Sequence, residues 1–246
     1  MNIGKEFIEK TKYKYAIESD QQRQIPQPSL ELPYDTDYEV ITLPTISEIQ
    51  LNSISLRHAI EKRESLRTHD INASLTLKEL AYLLWATQGV RKESIPGKRA
   101  LRNVPSAGCR HAFETYLLIN NVEGLKKGIY RYIALENKLI LLCTDNNIAN
   151  KITDCCLGQK FILTSAITFI WSAVPYRMTW RYGERGYRYL YLDAGHVCQN
   201  LYLASEDIDC GTCAIDAFDD DSLNKLLQFD GENQFAIYVA TVGRRI

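Results

Sequence analysis

No run in these 246 residues is long and apolar enough to cross a bilayer. The longest apolar stretch, Phe161 to Val174, is interrupted by Thr164, Ser165, Thr168 and Ser172, whereas a spanning helix needs about 20 mostly apolar residues. The N-terminus, MNIGKEFIEKTKYKY, carries charges where a signal peptide has its apolar segment, and neither end bears a lipidation motif. These absences predict a soluble, cytoplasmic protein with no membrane partner. Charge of one sign is also lacking. Lys and Arg number 29, Asp and Glu 30, for a net charge of −1, which argues against a whole-protein footprint for nucleic acid. Histidine is scarce, with four scattered copies, and no second cysteine pair stands at zinc-ligand spacing, so no metal site is expected. G-x-G-x-x-G, the Walker loop, H-E-x-x-H and G-x-S-x-G are all missing, which excludes the Rossmann fingerprint and the common hydrolase signatures. A cofactor, if used, is held some other way.

What is present is ordinary globular material, 46% apolar and 24% charged. A chain of this size buries roughly 70–75% of its unfolded surface and needs no disulfide to fold. Seven cysteines, an odd count without an export signal, read as reduced thiols. Cys210-Gly-Thr-Cys213 matches C-x-x-C but leads into a strand-like segment. A reactive pair would sit at a helix N-terminus, where a thiolate is stabilised, so buried thiols are the default.

Residues 1–50 predict an N-terminal arm, with a short helix over 3–15. A polar stretch, 19–46, holds Pro26, Pro28, Pro33 and Pro44 and is expected to wrap over the body formed by 51–246. In the body, Ser55 is a candidate N-cap for a helix to Arg63. Thr76-Leu-Lys-Glu79 is a capping box opening Leu77 to Gln88, stopped by Gly89. Strands are predicted at Phe113–Asn120, Ala166–Val174 and Gln234–Val242, with a hairpin of Gly128–Tyr132 and Lys138–Cys143. Asn146–Cys156 and Asp221–Leu227 read as helices. Gly186–Asp207 reads as a long helix, apolar on most sides. Such a helix is central in the fold or packed on a second copy of the chain. The irregular alternation places the chain in the α+β or mixed α/β class.

Five segments carry chemical vocabulary. Arg63-Glu-Ser65-Leu-Arg67 sets two guanidiniums and a hydroxyl within reach of one dianionic phosphate, although a solvated charged face explains it as well. Pro105-Ser-Ala-Gly-Cys-Arg-His111 is a small-residue loop that lets a ligand approach the backbone, or a plain surface turn. Trp180-Arg-Tyr-Gly-Glu-Arg-Gly-Tyr-Arg188 mixes arginines with aromatics. Ala214-Ile-Asp-Ala-Phe-Asp-Asp-Asp221 follows a strand and precedes a helix, where backbone N–H groups are free. Val242-Gly243-Arg244-Arg245 ends a strand with two cations.

In combination these segments resemble the nitroreductase superfamily, and within it the SagB-type dehydrogenase (azoline oxidase-like) branch. The matching pieces are LTLKELAYLLWATQG, PSAGCRH, NVEG with GIYRY, LGQ, RYGERGYRYLYLDAGHVCQNLYLAS, CAIDAFDDD and VATVGR. The resemblance implies an α+β fold, a central antiparallel or mixed sheet flanked by helices, and an intertwined homodimer binding FMN. It implies that Arg63, Ser65, Arg67 and Arg244 meet the FMN phosphate. Ser106, Ala107 and Gly108 would form a loop beside the flavin, supplied by the other subunit. Ile215, Asp216 and Ala217 would turn backbone N–H groups to the ring, and Gln159 would contact it. NAD(P)H is a possible electron donor, and a small molecule or modified peptide the substrate. Glu64 stands where the family more often has Arg or His. Azoline oxidases carry a Lys-Tyr pair where this chain has Arg181-Tyr182, and Arg is no base at neutral pH. Two other readings remain open. One is a flavin-binding partner subunit of a peptide-modifying, azoline-forming complex, with little turnover of its own; the other is a thiol-redox protein using Cys210 and Cys213.

Overall fold

The computed structural model describes every residue except Met1, Asn52, Lys92 and Glu93. Its centre is a sheet of seven strands: β1 (Val40–Thr42), β2 (Phe113–Ile119), β3 (Gly128–Ile133), β4 (Lys138–Cys143), β5 (Ile167–Ala173), β6 (Cys210–Ile215) and β7 (Phe235–Arg244). The spatial order is β1-β4-β3-β2-β5-β7-β6, and every neighbouring pair is antiparallel. β2 and β5 are buried at every position. Their near-continuous apolar sequence is what a strand covered on both faces requires, because neither face can afford polar side chains.

Helices cover both faces. One apolar layer joins the sheet to α3 (Leu77–Gln88), α6 (Tyr176–Tyr182) and α7 (Gly186–Asp207), through Leu80, Leu83, Leu84, Met178, Leu190, Val197 and Leu201. The opposite layer holds α4 (Ile148–Cys155), α5 (Phe161–Thr164) and α8 (Asp220–Leu226), through Ile152, Ile162 and Leu223. The capping box at α3 is formed. Thr76 Oγ1 accepts from the Glu79 N–H at 3.2 Å, and the Thr76 N–H donates to the Glu79 carboxylate at 2.8 Å. Ser55 caps α2 (Leu56–Lys62), accepting from the His58 N–H at 3.1 Å.

The sequence reading of α7 as apolar nearly all round needs correction for the single chain. Tyr191 and Leu192 are each 60% exposed, and Gly195, His196 and Gln199 share their surface. The helix is therefore covered on one side and open on the other. Three elements were not anticipated from the sequence: β1, α5 and α6. All are short, and α6 lies in the stretch singled out for its arginines and aromatics rather than for its helical spacing.

The arm opens with α1 (Ile3–Lys10) and then runs over the body, adding β1 to the sheet edge. A buried ion cluster fastens it. Glu114, 2% exposed, pairs with Arg131 at 2.8 Å and with Arg177 at 2.5 Å, and accepts from the Leu32 N–H at 2.8 Å. Arg177 Nε also donates to the Ser29 carbonyl, and Arg131 to the carbonyls of Leu32 and Pro33. The polar, proline-rich stretch has little core of its own, and its backbone is held by these charged groups instead.

Candidate functional site

Two clusters form at separate points of α7. The first lies along the free edge of β6. Beyond α2 the chain runs extended from Arg63, and Ser65 pairs with Thr212 in a parallel bridge, with the Leu66 N–H donating to the Thr212 carbonyl at 3.0 Å. Close contact here depends on Gly211, where an added Cβ would lie 2.5 Å from Leu66 Cδ2. In an extended segment alternate side chains share a face, so Arg63, Ser65 and Arg67 point together and Leu66 points away. Tyr202 of α7 meets that face. Its hydroxyl is 3.1 Å from Ser65 Oγ and accepts from the Ala214 N–H at 2.9 Å, and the Arg63 guanidinium sits 5.3 Å above its ring.

Charge pairing separates these arginines from their neighbours. Arg57, Lys62, Arg244 and Arg245 are all engaged by carboxylates. Among the described residues, neither Arg63 nor Arg67 has a carboxylate partner; Arg67 makes one long contact, 3.5 Å, to the Ser65 carbonyl. Ser65 and Arg67 are exposed and Arg63 is half-buried. Glu64, on the other side of the segment, is taken up by Arg245 at 2.6 Å. The negative charge of Glu64 is thus held away from the cluster.

Where β6 ends, Ile215 is buried and Asp216 and Ala217 are exposed. Among the described residues no acceptor meets the N–H of Asp216 or Ala217, so two donors stand free at the end of β6, the strand along which the arginine cluster lies. Gln159 holds this turn from below, its Nε2 donating to the Ala217 carbonyl at 3.3 Å. The Asp219 N–H donates to the Cys155 carbonyl at 2.7 Å, tying the same turn to α4.

The second cluster joins the loop 105–111 to α6. Gly108, Cys109 and His111 all have positive φ, at 56°, 58° and 44°; for the two non-glycines such geometry costs about 1–3 kcal/mol each and is kept where the surroundings impose it. Asp193 of α7 ties the loop to the helix: its Oδ1 accepts from the Ala107 N–H at 3.3 Å, and its Oδ2 is buried without a partner among the described residues. Ser106 Oγ accepts from the His111 N–H at 2.9 Å. Burial raises the Asp193 pKa, and burial drives His111 down to about 3, with Arg102 and Arg110 adding to it. A Cβ on Gly108 would lie 2.4 Å from the Tyr182 hydroxyl and 2.9 Å from Arg181 Nε. Arg181, Tyr182 and the 106–108 loop are therefore in contact. Asp193 and Tyr202 are nine positions apart on α7, which places the two clusters about 14 Å apart along its axis.

Arg244 does not join the first cluster. Its guanidinium is engaged by Glu79 at 2.5 Å and by the carbonyls of Ile208 and Ser74. Side chains alternate on β7, and position 244 faces α3 and the end of α7. The thiol-redox reading is overturned. Cys210 and Cys213 stand three apart on a strand, hence on opposite faces. Both are buried and free, and burial pushes Cys210 up to about 12 and raises Cys213. Two residues went unnoticed as site residues in the sequence, Tyr202 and Asp193. Both lie in the RYLYLDAGHVCQNLYLAS stretch, and only the fold shows that their polar ends leave the helix.

The Nitroreductase family model matches residues 60–244. This chain belongs to the nitroreductase family. It is 34% identical over 206 residues to the nitroreductase-family protein MJ1384 of Methanocaldococcus jannaschii, covering 84% of this chain and 96% of that one. It is 28% identical over 114 residues to the trifolitoxin-processing protein TfxB of Rhizobium leguminosarum bv. trifolii, covering 45% of this chain and 31% of that one. The crystal structure of a nitroreductase-family protein from Anabaena variabilis superposes with a TM-score of 0.69 at 27% identity. The match covers 86% of this chain but only 42% of that larger chain. The family is one of flavin oxidoreductases, and the seven-stranded antiparallel sheet with flanking helices is its fold. The arm, residues 1–50, lies outside the matched span. Among the described residues no helix is long and apolar enough to cross a membrane.

The β6-edge cluster fits a flavin mononucleotide. Two arginines without carboxylate partners and a serine hydroxyl offer the donors a phosphate takes. The free N–H groups of Asp216 and Ala217 offer the donors a flavin ring edge takes.

Proposed function

We propose that this chain is an FMN-dependent oxidoreductase acting as a homodimer. The observation that carries the reading is the pairing contrast: Arg63 and Arg67 stand without carboxylates on one face with Ser65, while the cations around them are neutralised. A cation left unpaired at the edge of a sheet, where carboxylates are plentiful, is arranged for an anion from outside. Arg63, Ser65 and Arg67 would hold the phosphate, and the N–H groups of Asp216 and Ala217 the ring, with Ile215 and Gln159 fixing their turn. FMN bound there would supply a hydride acceptor and donor at N5. Tyr202 keeps the Ser65 hydroxyl oriented toward the phosphate.

The exposed side of α7, with Tyr191 and Leu192, is the surface we assign to the second protomer. That pairing would bring the 106–108 loop, with Arg181 and Tyr182, from one protomer to the flavin of the other, and would close the separation between the two clusters. In that site Tyr182 is the residue we assign to hold or deliver a proton, since a guanidinium does not serve as a base. NAD(P)H is the donor we assign. The test is direct. The purified protein should be a dimer with a flavin spectrum, and flavin-free protein should quench FMN fluorescence on titration. Anaerobic NADPH should then bleach the bound flavin. A colourless monomer that leaves FMN fluorescence unchanged would overturn the reading.

The similarity to TfxB favours a second reading in the SagB-type branch, as a flavin subunit of a peptide-modifying complex. Arg181, where azoline oxidases have a lysine, argues for a partner with little ring-dehydrogenating activity of its own. Under this reading an azoline peptide would leave the oxidised protein's spectrum unchanged while a general reductant still bleaches it.

A further inference from the structure

The corner around Tyr182 holds more positive charge than its own carboxylates neutralise. Arg181 is exposed, its guanidinium 5.6 Å from the Tyr182 ring, and among the described residues it has no carboxylate partner. Arg110 stacks 5.2 Å over Trp180 and donates twice to Gln27 Oε1 at 3.2 Å, and among the described residues it has no carboxylate partner. It is 7% exposed, and its Nε is buried without a partner. Arg185 donates to the Tyr189 hydroxyl and the Thr11 carbonyl, and Arg188 to Thr11 and the Ile8 carbonyl; among the described residues neither meets a carboxylate. Nearby acidic groups include Glu184, which is exposed, and Asp193, whose Oδ1 accepts from the Ala107 N–H at 3.3 Å and lies 4.0 Å from His196 Nδ1. Burial and the nearby Arg181 both oppose the charge on Arg110. Such a corner is eased by an incoming anion.

We propose that this corner is an acceptor subsite for the carboxylate of an anionic organic substrate, with Arg181 as its anchor and Arg110 as the buried charge behind it. The proposal rests on the assignment of Tyr182 to the reacting side of the flavin. It gives Arg181 a role that a lysine-to-arginine change at a proton-transfer position leaves unexplained: a fixed, planar donor pair suits a carboxylate and not a base. The substrate class is then an oxidised, electron-accepting molecule, such as a nitroaromatic, carrying a carboxylate beside its reducible group.

The test compares 4-nitrobenzoate with 4-nitrobenzamide, a neutral analogue of nearly equal size. Equilibrium dialysis against the protein, with and without FMN, measures binding without turnover. Stopped-flow reoxidation of the dithionite-reduced protein by each compound measures the loaded site. The benzoate should be favoured. In Arg181→Gln that preference should fall about tenfold, the low end of what a charge-assisted hydrogen bond contributes. Arg181→Lys should keep part of it, and added salt should weaken it. Equal binding of the two compounds, or a preference that survives Arg181→Gln, would overturn the subsite. Dialysis reads this even when the protein takes up no flavin, so failure of the FMN assignment and failure of the subsite are distinguishable.

Discussion

Arginine is used in two opposite ways in this molecule. Under the arm, Arg131 and Arg177 are almost fully buried, close on Glu114 from two sides, and also donate to backbone carbonyls of the arm. At the β6 edge, Arg63 and Arg67 reach solvent without a carboxylate. The first pair serves the fold, and the second is the pair we assign to a ligand. The difference does not lie in the residue type but in where the chain places an acid. Glu114 points inward from the central strand β2. Glu64, which could have neutralised the edge cluster, points to the other side of an extended segment and is occupied by Arg245.

The largest effect should come from breaking the buried group. Glu114→Ala strands two guanidiniums in a dry site, and leaving a buried charge unpaired costs about 3–5 kcal/mol. Denaturant unfolding should show that loss, and limited proteolysis should show the arm released. A variant within about 0.5 kcal/mol of the parent would mean the cluster is not structural. Next comes the edge cluster. Arg67→Ala should weaken FMN binding by about one to two decades, the equivalent of about 1.5–3 kcal/mol for one charge-assisted bond, measured by fluorescence titration. Unchanged affinity would remove Arg67 from the phosphate site.

A third prediction concerns the buried charges near the 105–111 loop. The folded-state pKa of His111 is driven down to about 3, below its ordinary value of about 6.5. The folded protein therefore keeps a neutral imidazole while the unfolded chain takes up a proton. The corresponding stability is complete above about pH 6.5 and is lost as pH falls toward about 3, at up to about 1.4 kcal/mol per pH unit. His111→Gln should flatten this part of the acid limb in stability measured against pH. An unchanged acid limb would mean the imidazole is not held neutral.

Much of this was legible in the sequence, for reasons that differ by element. Periodicity and caps announced α3 and α7, with the capping box at Thr76 and Glu79 formed as read. Continuous apolar runs announced β2 and β5. β1 and α5 were not legible because three or four residues carry no period, and their structure comes from the neighbours they pair with. The motif grouped Arg63, Ser65 and Arg67 within reach of one phosphate, but their common face comes from the extended segment that pairs Ser65 with Thr212, which the motif did not announce. Arg244 shows the limit. Sequence order put a cation at the right strand end, but Glu79, brought there by the N-terminus of α3, decides where its guanidinium goes. Tyr202 and Asp193 were hidden for the same reason: a polar group in an apolar helix announces no partner until the sheet and the loop are in place.

The smallest effect bears most sharply on the contrast between the two arginine groups. If the edge arginines serve a ligand and not the fold, removing one should scarcely change the stability of the flavin-free protein. Arg63 is the demanding case, because its guanidinium sits over the Tyr202 ring at 5.3 Å. A partly exposed cation–π contact contributes about 0.5–1 kcal/mol. Arg63→Ala should therefore cost no more than about 1 kcal/mol in denaturant unfolding without flavin, against the several expected at Glu114. With saturating FMN the gap between Arg63→Ala and the parent should widen, because a ligand that binds only the folded state adds stability according to its affinity. Equal losses with and without FMN would show that Arg63 belongs with Arg131 and Arg177 as a structural arginine, and the cluster would then hold its phosphate through Ser65 and Arg67 alone.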